Sequence, residues 1–194
     1  MIDISKALPI SGWMNEPELT WLAETAQKCV EDSALIVEVG SWCGRSTMAI
    51  AEHMQAGSIL YCVDAWEDLY GSNPSETVSD GWVNAQDAYV QFKNNLKSYI
   101  DDGTIVVRRY DSIEAAYKLK PFYADAVDWV FLDSSHLYET TKKEIEAYLP
   151  LLRVGGLLSG HDYWHEGVNK AVSERLKGVR LIPGGSIWTY VKEG

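Results

Sequence analysis

A chain of 194 residues that is 46% hydrophobic can bury one substantial core, and its formal net charge of −11 argues against a nucleic-acid backbone, which is held by clustered Lys and Arg. The only basic pairs are Arg108-Arg109 and Lys142-Lys143; no apolar run is long enough to span a bilayer, and residues 1–6 lack the layout of a secretory signal. A cytoplasmic protein acting on a small molecule is expected, with Cys29, Cys43 and Cys62, which lack C-x-x-C spacing, as buried free thiols.

In chain order, residues 16–29 predict an amphipathic helix with Pro17 in its first turn and Leu19, Leu22, Ala23 and Ala26 on one face, so that residues 1–33 form a helical cap. Leu35 to Val39 reads as a buried strand, Thr47 to Met54 as a helix, and Ser58 to Val63 as a second apolar strand ending at Asp64. Residues 67–87, rich in Gly, Ser, Asn and Asp around Trp82, are the one long irregular stretch. Loops beyond about 12–15 residues in a compact domain are usually functional or disordered, which predicts a lid or acceptor-specificity element. There follow a helix at Ala88–Tyr99, a strand at Thr104–Val107, a strand at Asp128–Asp133, a helix over 139–152, a strand ending at His161 and a helix at Gly167–Leu176. Val179–Ile182 and Ile187–Val191 predict strands paired antiparallel around Pro183-Gly184-Gly185. This alternation demands a doubly wound, mostly parallel sheet with helices on both faces, because right-handed crossovers put them there.

The densest signal is Leu35 to Thr47, a strand running into Gly40-Ser41-Trp42-Cys43-Gly44 and then a helix start, with Glu38 two residues before the turn. A Walker loop would need one more residue and a lysine where Arg45 stands; a dinucleotide fingerprint would need glycine where Trp42 stands, which also opposes a nicotinamide-dependent oxidoreductase. Asp64 lies near the distance at which doubly wound folds place the acid that grips ribose hydroxyls. Turn and acid together indicate an adenosine-type ligand.

This segment resembles motif I of class I S-adenosylmethionine-dependent methyltransferases, and the resemblance continues in order through Val63-Asp64-Ala65-Trp66, Asp111-Ser112-Ile113-Glu114, Asp128 to Tyr138, and Val154 to Tyr163. The details are similar to the small, often metal-assisted O-methyltransferases that include the macrocin-type sugar methyltransferases. The resemblance implies a Rossmann-like seven-stranded sheet of order 3-2-1-4-5-7-6 with the last strand antiparallel. The implied reaction is O-methylation of a small hydroxylated metabolite or sugar; the alternatives are a non-catalytic S-adenosylmethionine-binding relative and, behind it, an NAD-dependent oxidoreductase.

On that reading, Gly40, Ser41, Trp42 and Gly44 face the methionine part of the cofactor, and Glu38 orients their loop through backbone N–H groups. Asp64 takes the ribose diol, Ala65 and Trp66 line the adenine side with the Trp66 ring over the base, Asp111 and Ser112 meet the adenine edge, and Asp133 faces the methyl donor. The resemblance also implies a metal held by Asp133, His161 and Asp162. Because His161 stands where an acid is common, and imidazole suits other metals better than magnesium, whether an ion is needed stays open. His136 is the first candidate for general base and His161 the second, with His165 weaker and His53 on a helix surface. Tyr138, Tyr163 and Trp164 are candidate acceptor walls, Tyr138 equally an anchor for its helix; a homo-oligomer is left open.

Overall fold

The computed structural model describes residues 2–29, 33–67 and 84–194. Seven strands, β1 (Leu35–Val39), β2 (Ile59–Val63), β3 (Ile105–Arg108), β4 (Val127–Leu132), β5 (Leu152–Gly160), β6 (Arg180–Leu181) and β7 (Trp188–Val191), form one sheet of order β3-β2-β1-β4-β5-β7-β6. β1 to β5 pair in parallel, and β7 runs antiparallel to both β5 and β6. The order and the antiparallel seventh strand are those the family resemblance implies.

Both faces are covered, which is why the central strands read as near-continuous apolar runs. Ile36, Trp129 and Phe131 pack toward Leu19 and Leu22 of α1 (Glu16–Lys28), Met48 and Ile50 of α2 (Arg45–Ala51) and Phe92 of α3 (Ala85–Asn95). Their strand neighbours Val37, Val130 and Leu132 point the other way, into a layer built from α5 (Ser112–Tyr123), α6 (Tyr138–Tyr148) and α7 (Glu166–Arg175). The remaining helix, α4, is the short segment Lys97–Asp101.

Several boundaries differ from expectation for local reasons. The helix expected at 88–99 starts earlier, at Ala85, because Asn84 caps it by accepting from the Asp87 N–H at 3.0 Å, and it breaks at Leu96 (φ −109°, ψ 15°) before α4. The expected lid therefore ends in helix over 85–87, while its residues 68–83 lie outside the described residues. The helix expected to reach 152 ends at Tyr148, since Pro150 cannot continue it, and a 3₁₀ turn over Leu149–Leu151 leads directly into β5. α2 begins at Arg45, two residues before the expected start, straight after Gly44. Beyond the expected elements, Asp111 caps an additional helix, α5, over Ser112–Tyr123. Of the three thiols, Cys43 and Cys62 are buried, whereas Cys29 is only half-buried.

One contact draws the strand ends together. The N–H of Gly40 donates to Val63 O at 2.8 Å, and a Cβ at Gly40 (φ 91°) would stand 2.2 Å from the carbonyl oxygen of Asp133. The glycine is demanded by the approach of the β1 turn to the end of β4, not by a ligand alone. Gly40→Ala should therefore cost more than about 3 kcal/mol in denaturant unfolding, combining left-handed strain with a backbone collision. Gly103→Ala, with a similar φ of 84° and nothing within 4 Å of the added Cβ, should cost only about 1 kcal/mol.

Candidate active site

The expected cofactor residues gather above the C-terminal ends of β1, β2 and β3. Asp64 ties two loops: its Oδ2 accepts from the Trp42 N–H at 2.9 Å and its Oδ1 from the Trp66 N–H at 2.7 Å. Burial pushes the Asp64 carboxyl above its ordinary range, and these N–H groups and Arg109 pull the other way. Arg109 bonds the carbonyls of Ala65 and Trp66 at 3.2 and 3.3 Å and so holds this turn, whereas Arg108 lies over the Tyr61 ring. Asp111 caps α5 through the N–H groups of Ile113 and Glu114 at 2.9 and 3.2 Å.

Two expectations change in detail. The Trp66 indole is 2% exposed, packed on Tyr89 and Phe92 with its Nε1–H donated to Trp42 O at 2.8 Å, so the ring is core and only its backbone borders the site. Glu38 orients the first loop through hydroxyls instead of backbone N–H groups: its Oε2 accepts from Ser41 Oγ at 2.6 Å and from Thr47 Oγ1. Full burial pushes this carboxyl up to about 7, against the pull of the Ser41, Ser46 and Thr47 hydroxyls. It is a neutral structural acid over most of the acidic range.

The ends of β4 and β5 bring Asp133, His161, Asp162 and His136 together, as adjacent parallel strands must. His161 is the hub. Its Nδ1 lies 3.5 Å from Asp133 Oδ1 and 3.2 Å from Asp162 Oδ1, and its Nε2 lies 3.0 Å from Glu18 Oε1 on α1. Burial alone would lower the His161 pKa, but its bonds to Asp133, Asp162 and Glu18 outweigh that and raise it to about 12. Glu18 is correspondingly held at about 2, its burial outweighed by His161 and by the N–H groups of Ser186 and Asn15. His136 Nε2 sits 2.7 Å from Asp162 Oδ2, a bond that raises the His136 pKa. His165 lies next to it, the two rings stacked at 4.2 Å. His53 bonds Ala49 O at 2.9 Å, far from this group in role. Tyr138 is an anchor, its hydroxyl bonding Glu174 Oε2 of α7 at 2.6 Å, and Trp164 is 69% exposed.

Two participants were missed. Glu18 carried a signal, since Asn15-x-x-Glu18 is a capping box, and the box is formed; the same carboxylate then reaches Ser186 and His161. Glu144 falls at helical spacing with Thr141 and Tyr148 on the apolar stripe of α6, where a carboxylate is out of place. It is 1% exposed, accepts from Ser134 and Ser112 hydroxyls, and burial raises it to about 7 despite them. It joins the loop after β4, through Ser134, to Ser112 at the start of α5.

Residues 37–163 match the model of the methyltransferase-domain family, so the chain belongs to that family and, with this sheet order, is a class I S-adenosylmethionine-dependent methyltransferase. Similar solved folds include an O-methyltransferase from Bacillus cereus in complex with S-adenosylhomocysteine (TM-score 0.67, 14% identity, covering 97% of this chain and 90% of that one). A methyltransferase from Geobacter sulfurreducens is similar at TM-score 0.66 and 14% identity, covering 93% of this chain and 80% of that one. CalS11, a TDP-rhamnose 3′-O-methyltransferase of calicheamicin biosynthesis, aligns with TM-score 0.66 and 18% identity over 91% of this chain and 79% of its own.

The Glu38 carboxyl gives a pH signature. Its folded pKa of about 7 exceeds the ordinary 4.5, so the fold favours the protonated form, and stability present below 4.5 is lost as pH rises through 7. Glu38→Gln keeps the shape and removes the titration. Urea unfolding at pH 5 and pH 8 (about the two sides of that window) should show the variant gaining about 2 kcal/mol on the parent protein between them.

Proposed function

We propose that the enzyme methylates a hydroxyl oxygen of a small metabolite or sugar, with His136 as general base. The observation that carries the reading is the 2.7 Å contact of His136 Nε2 with Asp162 on an imidazole whose side chain is 56% exposed at the mouth of the site. A base oriented by a carboxylate at one nitrogen has the other for the substrate. With Nε2–H donated to Asp162, Nδ1 takes the acceptor's proton as the oxygen forms its bond to the methyl carbon and the carbon–sulfur bond breaks, leaving a neutral thioether. The bond to Asp162 raises the His136 pKa above the usual imidazole value, which strengthens the ring as a proton acceptor once it is neutral. Asp64 is proposed to take the ribose diol through the lone pairs its two backbone N–H partners leave.

Oxygen direction is supported by the names of the B. cereus and calicheamicin enzymes. Trp164 and Trp13, both strongly exposed, offer ring surface for a flat or cyclic acceptor. The sequence's acidic charge supports a cytoplasmic reaction on a small molecule, with neither nucleic acid nor membrane as partner, as part of the same proposal. Among the described residues no helix is long and apolar enough to cross a membrane.

Asp133, His161 and Asp162 would hold a divalent ion, their donor atoms lying within 4.8 Å of one another. An ion there would take the place of the Nδ1 proton of His161, with Glu18 backing Nε2 as the outer carboxylate of a metal-bound histidine does, and a nitrogen-bearing set favours manganese, iron, cobalt or zinc over magnesium. Such an ion, when bound, lowers the pKa of a coordinated acceptor hydroxyl.

The test separates cofactor binding from chemistry. With a panel of hydroxyl compounds and labelled S-adenosylmethionine, the products should be methyl ethers. His136→Asn should lower turnover by about 10² or more with S-adenosylhomocysteine affinity kept, whereas Asp64→Ala should weaken that affinity by about 2 kcal/mol. Near-normal turnover of the His136 variant would remove it as the base.

A further inference from the structure

Beside the His161 hub, the mouth of the site carries a second constellation that the proposed methyl transfer leaves half unused. His136 leaves the loop after β4, and His165 is the residue before α7; their rings stack at 4.2 Å and 13°, and both Nε2 atoms face the Asp162 carboxylate, at 2.7 Å from Oδ2 and 3.9 Å from Oδ1. All three donor atoms lie within 4.8 Å of one another. Atoms sharing a first-row ion with bonds near 2.0–2.2 Å stand about 3 Å apart, so small rotations of two half-exposed rings would close the set.

The backbone holds these groups in place. A Cβ on Gly167 would lie 2.2 Å from His136 O and 2.8 Å from Tyr138 N, so the first turn of α7 is seated directly on the loop that carries His136. Asp162 itself is held in the left-handed region at φ 59°, a strained choice for a residue with a side chain, and its N–H is bonded to Ser186 Oγ at 3.2 Å. His165, the N-cap of α7, makes no side-chain cap bond, although a capping position favours Asn, Asp, Ser or Thr. Its imidazole is directed at Asp162 instead.

We infer that His136, Asp162 and His165 form a cation site for a borderline divalent ion of the zinc or cobalt class, distinct from the Asp133, His161 and Asp162 group and sharing one carboxylate with it. Two imidazoles and one carboxylate are a donor set that such ions prefer to magnesium or calcium. Their exposure leaves further coordination positions to water or ligand. The binding claim is independent of the proposed reaction. A consequence that does rest on that reading is inhibition: an ion on Nε2 of His136 confines the ring's proton to Nδ1, the atom that must accept the substrate's proton.

The test uses the metal-free full-length protein titrated with Co²⁺, followed by visible absorption, and with Zn²⁺, followed by calorimetry. His165→Asn is the informative variant because asparagine is itself a good N-cap and keeps the start of α7. Wild type should bind with the absorption of an imidazole-ligated ion, and His165→Asn should weaken binding at least about tenfold while keeping S-adenosylhomocysteine affinity. Because Asp133, His161 and Asp162 would hold an ion of their own, the comparison is repeated in Asp133→Asn, where one ion should still bind and a further His165→Asn change should weaken that binding at least about tenfold. No binding by wild type or by Asp133→Asn, or binding in the Asp133→Asn protein that the His165→Asn change leaves untouched, would overturn the site. In turnover assays, Zn²⁺ should inhibit wild type and inhibit His165→Asn at least about tenfold less potently. If the binding result holds and this inhibition fails, the site stands and the base assignment of His136 falls.

Discussion

The site depends on one imidazole held among three carboxylates. His161 reaches Glu18 with one nitrogen and Asp133 and Asp162 with the other, linking α1 to the ends of β4 and β5. In water three acids would not be gathered so closely. Here the hub carries the compensating charge, which is why Glu18 and Asp162 both stay ionised in spite of their burial. From Asp162 the chain of contacts runs on to His136, so the orientation of the outer imidazole is inherited from the inner one.

Around this hub the backbone accepts conformations that side chains ordinarily avoid. Trp42, Trp66 and Asp162 all have positive φ, at 47°, 45° and 59°, and all border the strand ends. Such residues cost roughly 1–3 kcal/mol each and persist where their surroundings over-determine them. The surroundings here are specific: Asp64 holds the N–H groups of Trp42 and Trp66, and Ser186 holds that of Asp162. The two buried acids, Glu38 and Glu144, serve the same end from below, each gathering hydroxyls around the loops that frame the pocket.

The sheet order was legible only through the resemblance that the glycine turn, Asp64 and the Asp133 and His161-Asp162 motifs carry in sequence; the alternation of strands and helices alone implied a doubly wound parallel sheet without its order. The meeting of Asp133, His161 and Asp162 followed from the adjacency of β4 and β5. What stayed hidden was set by tertiary contacts. Nothing in Asn15 to Glu18 beyond a helix cap told that the carboxylate would cross to residue 161, because that contact depends on the hairpin bringing Ser186 alongside. The Trp66 ring could equally have faced adenine or core, and Phe92 and Tyr89 of α3 decided for the core. Helix ends moved where Pro150 and Leu96 imposed local geometry that hydrophobic spacing does not register.

The charge state of His161 is the most direct test of this arrangement. In metal-free protein, side-chain nitrogen NMR of the His161 ring should show it doubly protonated from about pH 6 to pH 9, well past the ordinary imidazole value of about 6.5. Glu18→Gln should bring its titration down toward neutrality without unfolding the domain. A His161 that titrates near 6.5 in the parent protein, or one indifferent to loss of the Glu18 charge, would contradict the claim that the imidazole and its three carboxylates organise the site.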